Sequence, residues 1–280
     1  MKKEKVLKIK SQKKGVLLPY TEDIIKMYQS LTSLQKIAEQ YNVHYSSVRN
    51  LLVKNNIPIK HVSSSCYKIN ENFFETIDTE EKAYILGFIY ADGCVHDTVS
   101  YTKYLTLSCA EQDCEHLLKI RNILCPNYTI HITDFNSRYN KNAQKTHKIS
   151  IGNNKLCDDL TQHGCVPRKS KVLIFPTSVP DHLLPHFIRG YFDGDGSIFI
   201  RKKLPHKSIS FMGTLEFLQG IQDIFVNLLG CNSTTIYYCK RDHIYEYRIH
   251  QGSDILLIRD YFYTNATIFL ERKHSKFYLE

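Results

Sequence analysis

Apolar residues recur at helical spacing in three successive segments between residues 21 and 56. Each segment forms one apolar face of a short helix: Ile24, Tyr28 and Leu31; then Leu34, Ile37, Ala38 and Tyr41; then Val48, Leu51 and Leu52. Thr32 and Gln35 have the spacing of a capping box that begins the second helix, and Asn42 suits the left-handed conformation that ends it.

The very short turn between the second and third helices predicts a helix-turn-helix. Ala38 is small enough for two helices to approach closely, and Val43 and Val48 fill the angle between them. The third helix then presents side chains that could reach base edges and phosphates in a major groove: His44, Tyr45, Ser46, Ser47, Arg49 and Asn50. The alternative is a three-helix packing module that does not contact DNA.

Beyond residue 70, strand-like runs of alternating residues are interspersed with helical runs. The strand-like runs cover residues 104–108, 128–132 and 148–151, and then 197–200, 236–238 and 245–249. Helical runs at residues 116–124 and 215–229 lie between them. The order helix, strands, helix, strands, helix occurs twice, which predicts an α+β body made of two similar units.

Two segments of this body repeat each other. Residues 83–96 and 187–200 share three marks at a constant offset of 103: Gly87 with Gly190, Asp92 with Asp195, and Gly93 with Gly196. A basic pair follows each copy at an offset of 104, Arg168-Lys169 and Arg272-Lys273. Two features in the same order at nearly the same spacing indicate an internal duplication.

Small residues four positions apart predict that the two central segments are helices in close contact. They are Gly87 and Ala91 in the first copy, and Gly190 and Gly194 in the second. Glycine weakens a helix by about 1 kcal/mol relative to alanine, so its use indicates that close approach matters. Each helix should end at its Asp-Gly pair, with the glycine as terminator. Asp92 and Asp195 would then meet at the paired C-terminal ends.

Two adjacent carboxylates repel each other, and the helix C-termini add further negative charge. Mg²⁺, which binds one or two carboxylates together with waters and phosphate oxygens, would relieve the repulsion, and Mn²⁺ is expected to substitute. Such a metal between carboxylates and a phosphate suits phosphodiester hydrolysis. Lys169 and Lys273 would stabilise the negative charge that develops during hydrolysis. Lys171 is an alternative candidate to Lys169. The alternative is a pair of surface turns with solvated lysines.

At these residues the sequence resembles the LAGLIDADG homing endonucleases in their single-chain, two-repeat form. Residues 86–93 (LGFIYADG) and 189–196 (RGYFDGDG) are similar to the signature helix of that family, and the similarity covers residues 71–280. The resemblance implies two pseudo-symmetric repeats whose antiparallel sheets form a saddle on a long double-stranded DNA site. It also implies Mg²⁺-dependent cleavage of both strands that leaves 3′ overhangs.

The resemblance further assigns roles and boundaries. It makes Asp92 and Asp195 metal ligands, adds the backbone carbonyls of Ala91 and Gly194, and makes Lys169 and Lys273 catalytic. We expect a basic arm (1–20), a helix-turn-helix domain (21–57), a linker (58–70), repeat 1 (71–177) and repeat 2 (178–280). The family usually carries an acid two positions before the metal ligand. In the second repeat this position is Asp193, which matches the family, but in the first repeat it is Tyr90. The difference implies two unequal active sites and preferential nicking of one DNA strand.

The charge distribution indicates a polyanionic partner. The net charge is +9, and the first 65 residues hold twelve lysines and arginines against four acids. Candidate DNA-reading residues on the sheets are Lys103, Arg138, Arg201, Lys202, Lys203, Lys240, Arg241 and Arg248, with Tyr101, Tyr139, Tyr237 and Tyr247 among them.

Composition narrows the class of protein. Hydrophobic residues make up 42% of the chain, and no run approaches the ~18 apolar residues of a membrane span. The charged N-terminus lacks an apolar leader, so we expect a protein that is not secreted and is cytoplasmic (nucleoid-associated) or organellar. Nine cysteines without a CxxC pair argue against a disulfide framework and a zinc ribbon. Two repeats in one chain indicate a monomer.

Three functions stay open at this point. The leading one is a site-specific, Mg²⁺-dependent DNA endonuclease. The others are a maturase that assists splicing of intron RNA and a regulator that binds DNA without cutting it. Asp92 and Asp195 favour cutting, since a pure binder has no need of paired acids.

Overall fold

A computed structural model describes residues 17–30, 32–57, 67–96, 102–126, 128–133, 145–200 and 207–279. It divides into two compact units, Met1–Lys68 and Ile69–Glu280. Some candidate residues lie outside the described part of the chain: Leu31, Tyr101, Arg138, Tyr139, Arg201, Lys202 and Lys203, with most of the arm and of the linker. Among the described residues, no helix has both the length and the apolar composition needed to cross a membrane.

The first unit contains the three helices that the apolar spacing predicts. They are α1 (Thr21–Gln29), α2 (Leu34–Gln40) and α3 (Tyr45–Lys54). Ile24, Ile37, Val48 and Leu52 are completely buried in their common core, and Ala38 lies beside them as predicted. Val43 packs partly buried against this core.

The helix ends of this unit differ in part from the sequence prediction. The capping box at Thr32 is wrong, because Ser33 is the N-cap and its hydroxyl accepts the backbone N–H of Lys36 at 3.2 Å. Asn42 has φ +50°, so the predicted left-handed residue after α2 is confirmed. His44, and not a serine or threonine, caps α3 by accepting the backbone N–H of Ser46.

The second unit repeats one succession of elements. The first copy contains α4 (Glu80–Asp92), β1 (Gly93–His96), β2 (Tyr104–Ala110), α5 (Cys114–Leu124), β3 (His131–Thr133), β4 (Thr146–Gly152) and α6 (Asn154–Gln162). The second copy contains α7 (Leu184–Asp195), β5 (Gly196–Ile200), β6 (Lys207–Gly213), α8 (Leu215–Asp223), β7 (Ile236–Cys239), β8 (Ile244–Ile249) and α9 (Gly252–Tyr263). A last helix, α10 (Glu271–Tyr278), follows.

Each copy builds one four-stranded antiparallel sheet. The strand orders are β1-β2-β4-β3 and β5-β6-β8-β7, the same topology twice. The example runs named from the sequence do not include β1 and β6. The predicted third strand of the first copy begins three residues early, at 128 instead of 131, and the helical run at 215–229 is divided in the structure. That run is α-helical only to Asp223 and continues as a π-helical turn, Ile224–Leu228.

Helices α4 and α7 touch through their backbones, which confirms the predicted role of the small residues. A Cβ on Gly87 would lie 2.0 Å from the carbonyl oxygen of Phe187, and one on Gly190 would lie 2.0 Å from that of Tyr84. A Cβ added to Gly194 would lie 2.3 Å from the Cβ of Ala91, so the helices are also close near their C-terminal ends. No side chain larger than hydrogen fits at either central glycine, so the spacing of the helices depends on them.

Gly93 and Gly196 end the two helices, but not by the left-handed conformation that makes glycine a common terminator. Their φ angles are both −81°. Glycine is required there because a Cβ would lie 2.7 Å from the Cα of Ile89 and 2.6 Å from the carbonyl oxygen of Phe192, respectively. The chain can therefore turn sharply from each helix into the first strand of each sheet.

We predict that Gly87→Ala destabilises the chain by about 3 kcal/mol, because overpacking at a rigid backbone contact separates the two central helices. Urea unfolding followed by circular dichroism measures the loss. Gly252→Ala is the matched control, since a Cβ there has nothing within 4 Å. Equal unfolding free energies for the two variants would contradict this account of the helix contact.

Candidate metal and DNA site

The structure brings Asp92 and Asp195 together. They are the last residues of α4 and α7, whose C-terminal ends are in contact at Ala91 and Gly194. A Cβ on Gly194 would lie 3.3 Å from Oδ2 of Asp92, so this carboxylate lies against the end of the opposite helix. Each acid directly precedes the first strand of a sheet, which places the pair where the two sheets begin.

Electrostatics make ionisation of this pair unfavourable. Both carboxyl groups reach the surface, but protein atoms surround most of each one. This desolvation and the charge of Asp195 raise the pKa of Asp92 to about 6, although Lys273 and Lys169 oppose the shift. Desolvation also raises the pKa of Asp195, against the same two lysines. A cation bound between the acids would remove the unfavourable energy.

Lys169 and Lys273 lie buried beneath the two helix ends. The Nζ of Lys273 donates to the carbonyl oxygens of Phe192, Asp193 and Gly196 at 2.6–2.8 Å and reaches that of Gly194 at 3.1 Å. The Nζ of Lys169 donates to Gly93 at 2.7 Å and reaches Ala91 at 3.3 Å. Lys171, the alternative candidate to Lys169, is exposed.

These contacts define what the lysines do in the DNA-free chain. An ammonium group has three N–H donors, and the carbonyls around Lys273 occupy all of them. Each ammonium therefore neutralises the negative C-terminal end of one central helix, α4 or α7, and holds the carbonyl groups at that end in place. Burial lowers the pKa of Lys273 to about 8, although the carboxylate of Asp193 opposes the shift.

The position two residues before each acid is filled in different ways. Asp193 is buried, and its Oδ2 accepts Tyr84 Oη–H at 2.6 Å and the backbone N–H of Leu270 at 2.8 Å. Burial raises the pKa of Asp193 to about 6, against these two hydrogen bonds. Tyr90 instead donates its hydroxyl to the backbone carbonyl of His163. Both residues thus anchor the segment that leads to a lysine, one as acceptor and one as donor.

A cavity of about 280 Å³ opens beside Asp92. Asp113, His116, Asp193 and Arg272 line it together with Gly194. Arg272 forms a two-point ion pair with Asp113, with both N–O distances 2.8 Å. The end of the second repeat thus closes over the sheet of the first, and the cavity leaves room for a small group next to the acid.

The polar face of the first sheet was largely missed by the sequence prediction. Leu105, Leu107, Ile149 and Ile151 are buried, so the alternate residues of β2 and β4 lie on the opposite, more open face. Cross-strand neighbours on that face are Cys94, Thr106 and Ser150 in one row and Ser108, Lys148 and His131 in another. Strict alternation of apolar and polar residues along β2 and β4 is the sequence signal that would have selected these open-face residues.

The second sheet has an equivalent open face. One row contains Ser197, Ser210 and Arg248, and another contains Met212, Glu246 and Tyr237. The guanidinium of Arg248 is paired with Glu246 at 2.5 Å, and Tyr237 is exposed as expected. Tyr247 points the other way and is completely buried, so its proposed place on the DNA-reading face is wrong.

The other described candidates for DNA contact differ in how exposed they are and in whether they already have a partner in the DNA-free chain. Lys240 and Arg241 are exposed in the turn after β7, whereas Lys103 forms an ion pair with Asp158. In the first unit, Tyr45, Ser47, Arg49 and Asn50 are exposed on α3. His44 and Ser46 interact with each other, with Nδ1 and Oγ 2.8 Å apart, which makes them helix-capping groups in the DNA-free chain.

The fold is similar to that of solved homing endonucleases. The homing endonuclease I-WcaI bound to its DNA recognition sequence superposes with a TM-score of 0.55 at 12% identity, covering 79% of this chain and 96% of that one. The LAGLIDADG homing endonuclease I-GzeII in complex with its DNA target has a TM-score of 0.45 at 14% identity, covering 75% and 88%.

The LAGLIDADG meganuclease I-AabMI bound to uncleaved DNA also has a TM-score of 0.45, at 13% identity, covering 69% of this chain and 86% of its own. No family model and no curated protein sequence matches the chain. The predicted fold class, an α+β body of two similar repeats with paired central helices, is confirmed by the similarity to I-WcaI and by the duplicated sheets.

We predict that Asp92→Asn raises the unfolding temperature at pH 7 without divalent metal. The folded-state pKa of Asp92, about 6, lies above the ordinary value of 3.8, so ionisation favours the unfolded chain. The destabilisation develops as pH rises from about 4 to about 6 and persists above that range. Thermal unfolding by circular dichroism should therefore show a clear difference at pH 7 and a much smaller one at pH 4.

Asp242→Asn is the control for this prediction, because Asp242 is exposed in the turn between β7 and β8. This variant should leave the unfolding temperature unchanged at both pH values. An Asp92→Asn chain no more stable than the parent at pH 7 would contradict the electrostatic account.

Proposed function

We propose that this chain is a site-specific DNA endonuclease that hydrolyses phosphodiester bonds with Mg²⁺ at Asp92 and Asp195. The observation that carries the proposal is the pairing of two carboxylates at the ends of helices in backbone contact. A protein that only binds DNA gains nothing from acids whose ionisation is unfavourable. The solved structure of I-WcaI with its DNA recognition sequence, which shares the fold, supports DNA as the substrate.

The donor set at the helix ends fits Mg²⁺. Two carboxylates and the carbonyl oxygens of Ala91 and Gly194 are hard oxygen ligands, and a carbonyl that accepts one lysine N–H keeps a second lone pair. No cluster of three or more acid, histidine or cysteine side chains that could hold a metal occurs in the described ranges. The remaining ligands would be water and phosphate oxygens, as is usual for Mg²⁺ in nucleases.

Bound Mg²⁺ would polarise the phosphoryl group and lower the pKa of a water molecule. The chain's own residues prepare the site for it. Lys169 contacts the carbonyl of Ala91 near the end of α4, and Lys273 contacts those of Asp193 and Gly194 near the end of α7. Both lysines partly balance the charge of the carboxylate of Asp92. The cavity beside Asp92 leaves space for a phosphodiester group.

DNA binding would use the open faces of both sheets. Hydroxyl, imidazole and ammonium groups on the first sheet, such as Thr106, His131 and Lys148, can contact phosphates and base edges. Arg248 and Tyr237 supply similar groups on the second. The exposed side of α3 adds a further DNA-reading surface of helix-turn-helix type. Since both acids and both sheets come from one chain, we propose that a monomer is the active form.

Cleavage of a randomised duplex library, followed by sequencing of the new ends, tests this function. The wild-type chain should cut a defined site with Mg²⁺ or Mn²⁺. Asp92→Asn and Asp195→Asn should each reduce cleavage by about a hundredfold or more, because charge stabilisation in the reaction is lost. Both variants should still bind the site, since the sheets are untouched.

The alternatives give different outcomes. Tight, sequence-specific DNA binding without cleavage in either metal would contradict the endonuclease and favour the regulator. Cleavage that survives both substitutions would exclude Asp92 and Asp195 as metal ligands. Acceleration of intron splicing that is unchanged in Asp92→Asn would show an additional maturase activity on the same fold.

We predict that Arg49→Ala weakens binding of the selected site and lowers the slope of log K against log salt by about 1, because one phosphate contact is lost. Fluorescence anisotropy over a salt series measures both quantities. Lys26→Ala removes the same charge from the exposed side of α1 and should change the slope less. Identical effects of the two substitutions would contradict a specific role for α3.

A further inference from the structure

Helices α4 and α7 contact each other at two equivalent places that differ in chemistry. At the offset of 103, the pair Tyr84–Asp193 corresponds to the pair Phe187–Tyr90. The hydroxyl of Tyr84 donates to Asp193 Oδ2 at 2.6 Å, whereas Phe187 and Tyr90 make an edge-to-face ring contact with centroids 5.0 Å apart. One contact is therefore a buried hydrogen bond and the other is apolar.

His116 extends the polar contact into α5. Its Nε2 lies 2.9 Å from Tyr84 Oη, and both side chains are buried. Because the hydroxyl proton of Tyr84 is directed to Asp193, Nε2–H of His116 is the donor to Tyr84 Oη. The third residue of α8, which corresponds to His116 in α5, is Phe217. It contacts the rings of Phe187 and Tyr191, as His116 contacts those of Tyr84 and Phe88. The second repeat therefore has an apolar ring where the first has an imidazole.

Asp193 connects this chain of hydrogen bonds to Lys273. Its carboxylate accepts the backbone N–H of Leu270 at 2.8 Å, directly before α10 begins. Its own backbone carbonyl accepts from Lys273 Nζ at 2.8 Å. A carboxylate at a helix N-terminus also interacts favourably with the helix dipole. The orientation of Asp193 therefore determines where the segment carrying Lys273 lies.

The position of Lys169 does not depend on this series of hydrogen bonds. The loop that precedes it is anchored by Tyr90, whose hydroxyl donates to the carbonyl of His163. The Nζ of Lys169 contacts the carbonyl of Ala91 in α4 and that of Gly93 in β1. The two lysines occupy equivalent places at the helix ends but are held there by different neighbours.

We propose that Tyr84 and His116 are positioning residues for Lys273 and have no such role for Lys169. The proposal rests on the endonuclease function proposed above. It states that different residues position the lysine of each repeat. Removing the hydrogen-bond chain should slow cleavage of the DNA strand that depends on Lys273 and spare the other strand.

Strand-resolved cleavage of the selected duplex, with a different label on each strand, tests the proposal. Lys273→Met and Lys169→Met first identify the strand that each lysine serves. Tyr84→Phe and His116→Leu should then lower kcat about tenfold on the Lys273 strand, the effect of losing a hydrogen bond to a charged group. Cleavage of the other strand should stay within about twofold. In Tyr84→Phe the KM should be unchanged on both strands, because Tyr84 does not line the cavity beside Asp92.

Two variants separate positioning from general damage to the core. His116→Gln keeps an amide N–H near the place of Nε2 and should recover much of the rate that His116→Leu loses. Tyr191→Phe removes another buried hydroxyl of the signature helices, one that donates to the carbonyl of Met212 at 2.6 Å. Its counterpart is Phe88, so this position tolerates phenylalanine, and the variant should not change the ratio of strand cleavage rates.

Amide hydrogen exchange provides a readout that needs no cleavage. In Tyr84→Phe, exchange should become faster in residues 268–276 and stay unchanged in residues 163–171, because only the first segment is held by Asp193. If the wild type fails to cut DNA but exchange responds in this way, the endonuclease function is wrong and the positioning role stands. Equal slowing of both strands, or equal exchange changes in both segments, would overturn the positioning role.

Discussion

The contact between the backbones of α4 and α7 is the constraint on which the rest of the structure depends. Gly87 and Gly190 each face a carbonyl oxygen of the opposite helix at a distance that no Cβ could share. Because the helices cannot separate without losing this packing, their C-terminal ends are held side by side. Asp92 and Asp195, and the first strands of both sheets, follow directly from those ends.

This arrangement concentrates unfavourable charge at one place. Two desolvated carboxylates lie at the negative ends of two helix dipoles, and two buried lysines offset part of that charge. The lysines contact backbone carbonyls and leave the acids free for a cation. The site is thus assembled at the expense of local stability, as is common for groups that are arranged for chemistry.

The duplicated halves share topology without sharing their internal contacts. Arg189, buried in α7, binds Glu80 at 2.7 Å at the start of α4, and the residues at the same offset are Leu86 and Leu183. Glu80 also accepts the backbone N–H and the hydroxyl of Thr267. The pseudo-twofold body is therefore joined by polar contacts that occur once, and these make its halves physically distinct.

The sequence by itself determined the duplication, the close helix pair, the two acids and the three apolar faces of the first unit. Each of these depends on residue spacing, which the chain displays directly. Only the tertiary structure decided that Ser33 caps α2, that Tyr247 lies inside, and that Lys148 and His131 share an open sheet face with hydroxyl groups. It also decided that Lys273 contacts the carbonyl of Asp193 and that Tyr84 donates to the carboxylate of the same residue, because residues far apart in the chain meet only after the repeats pack.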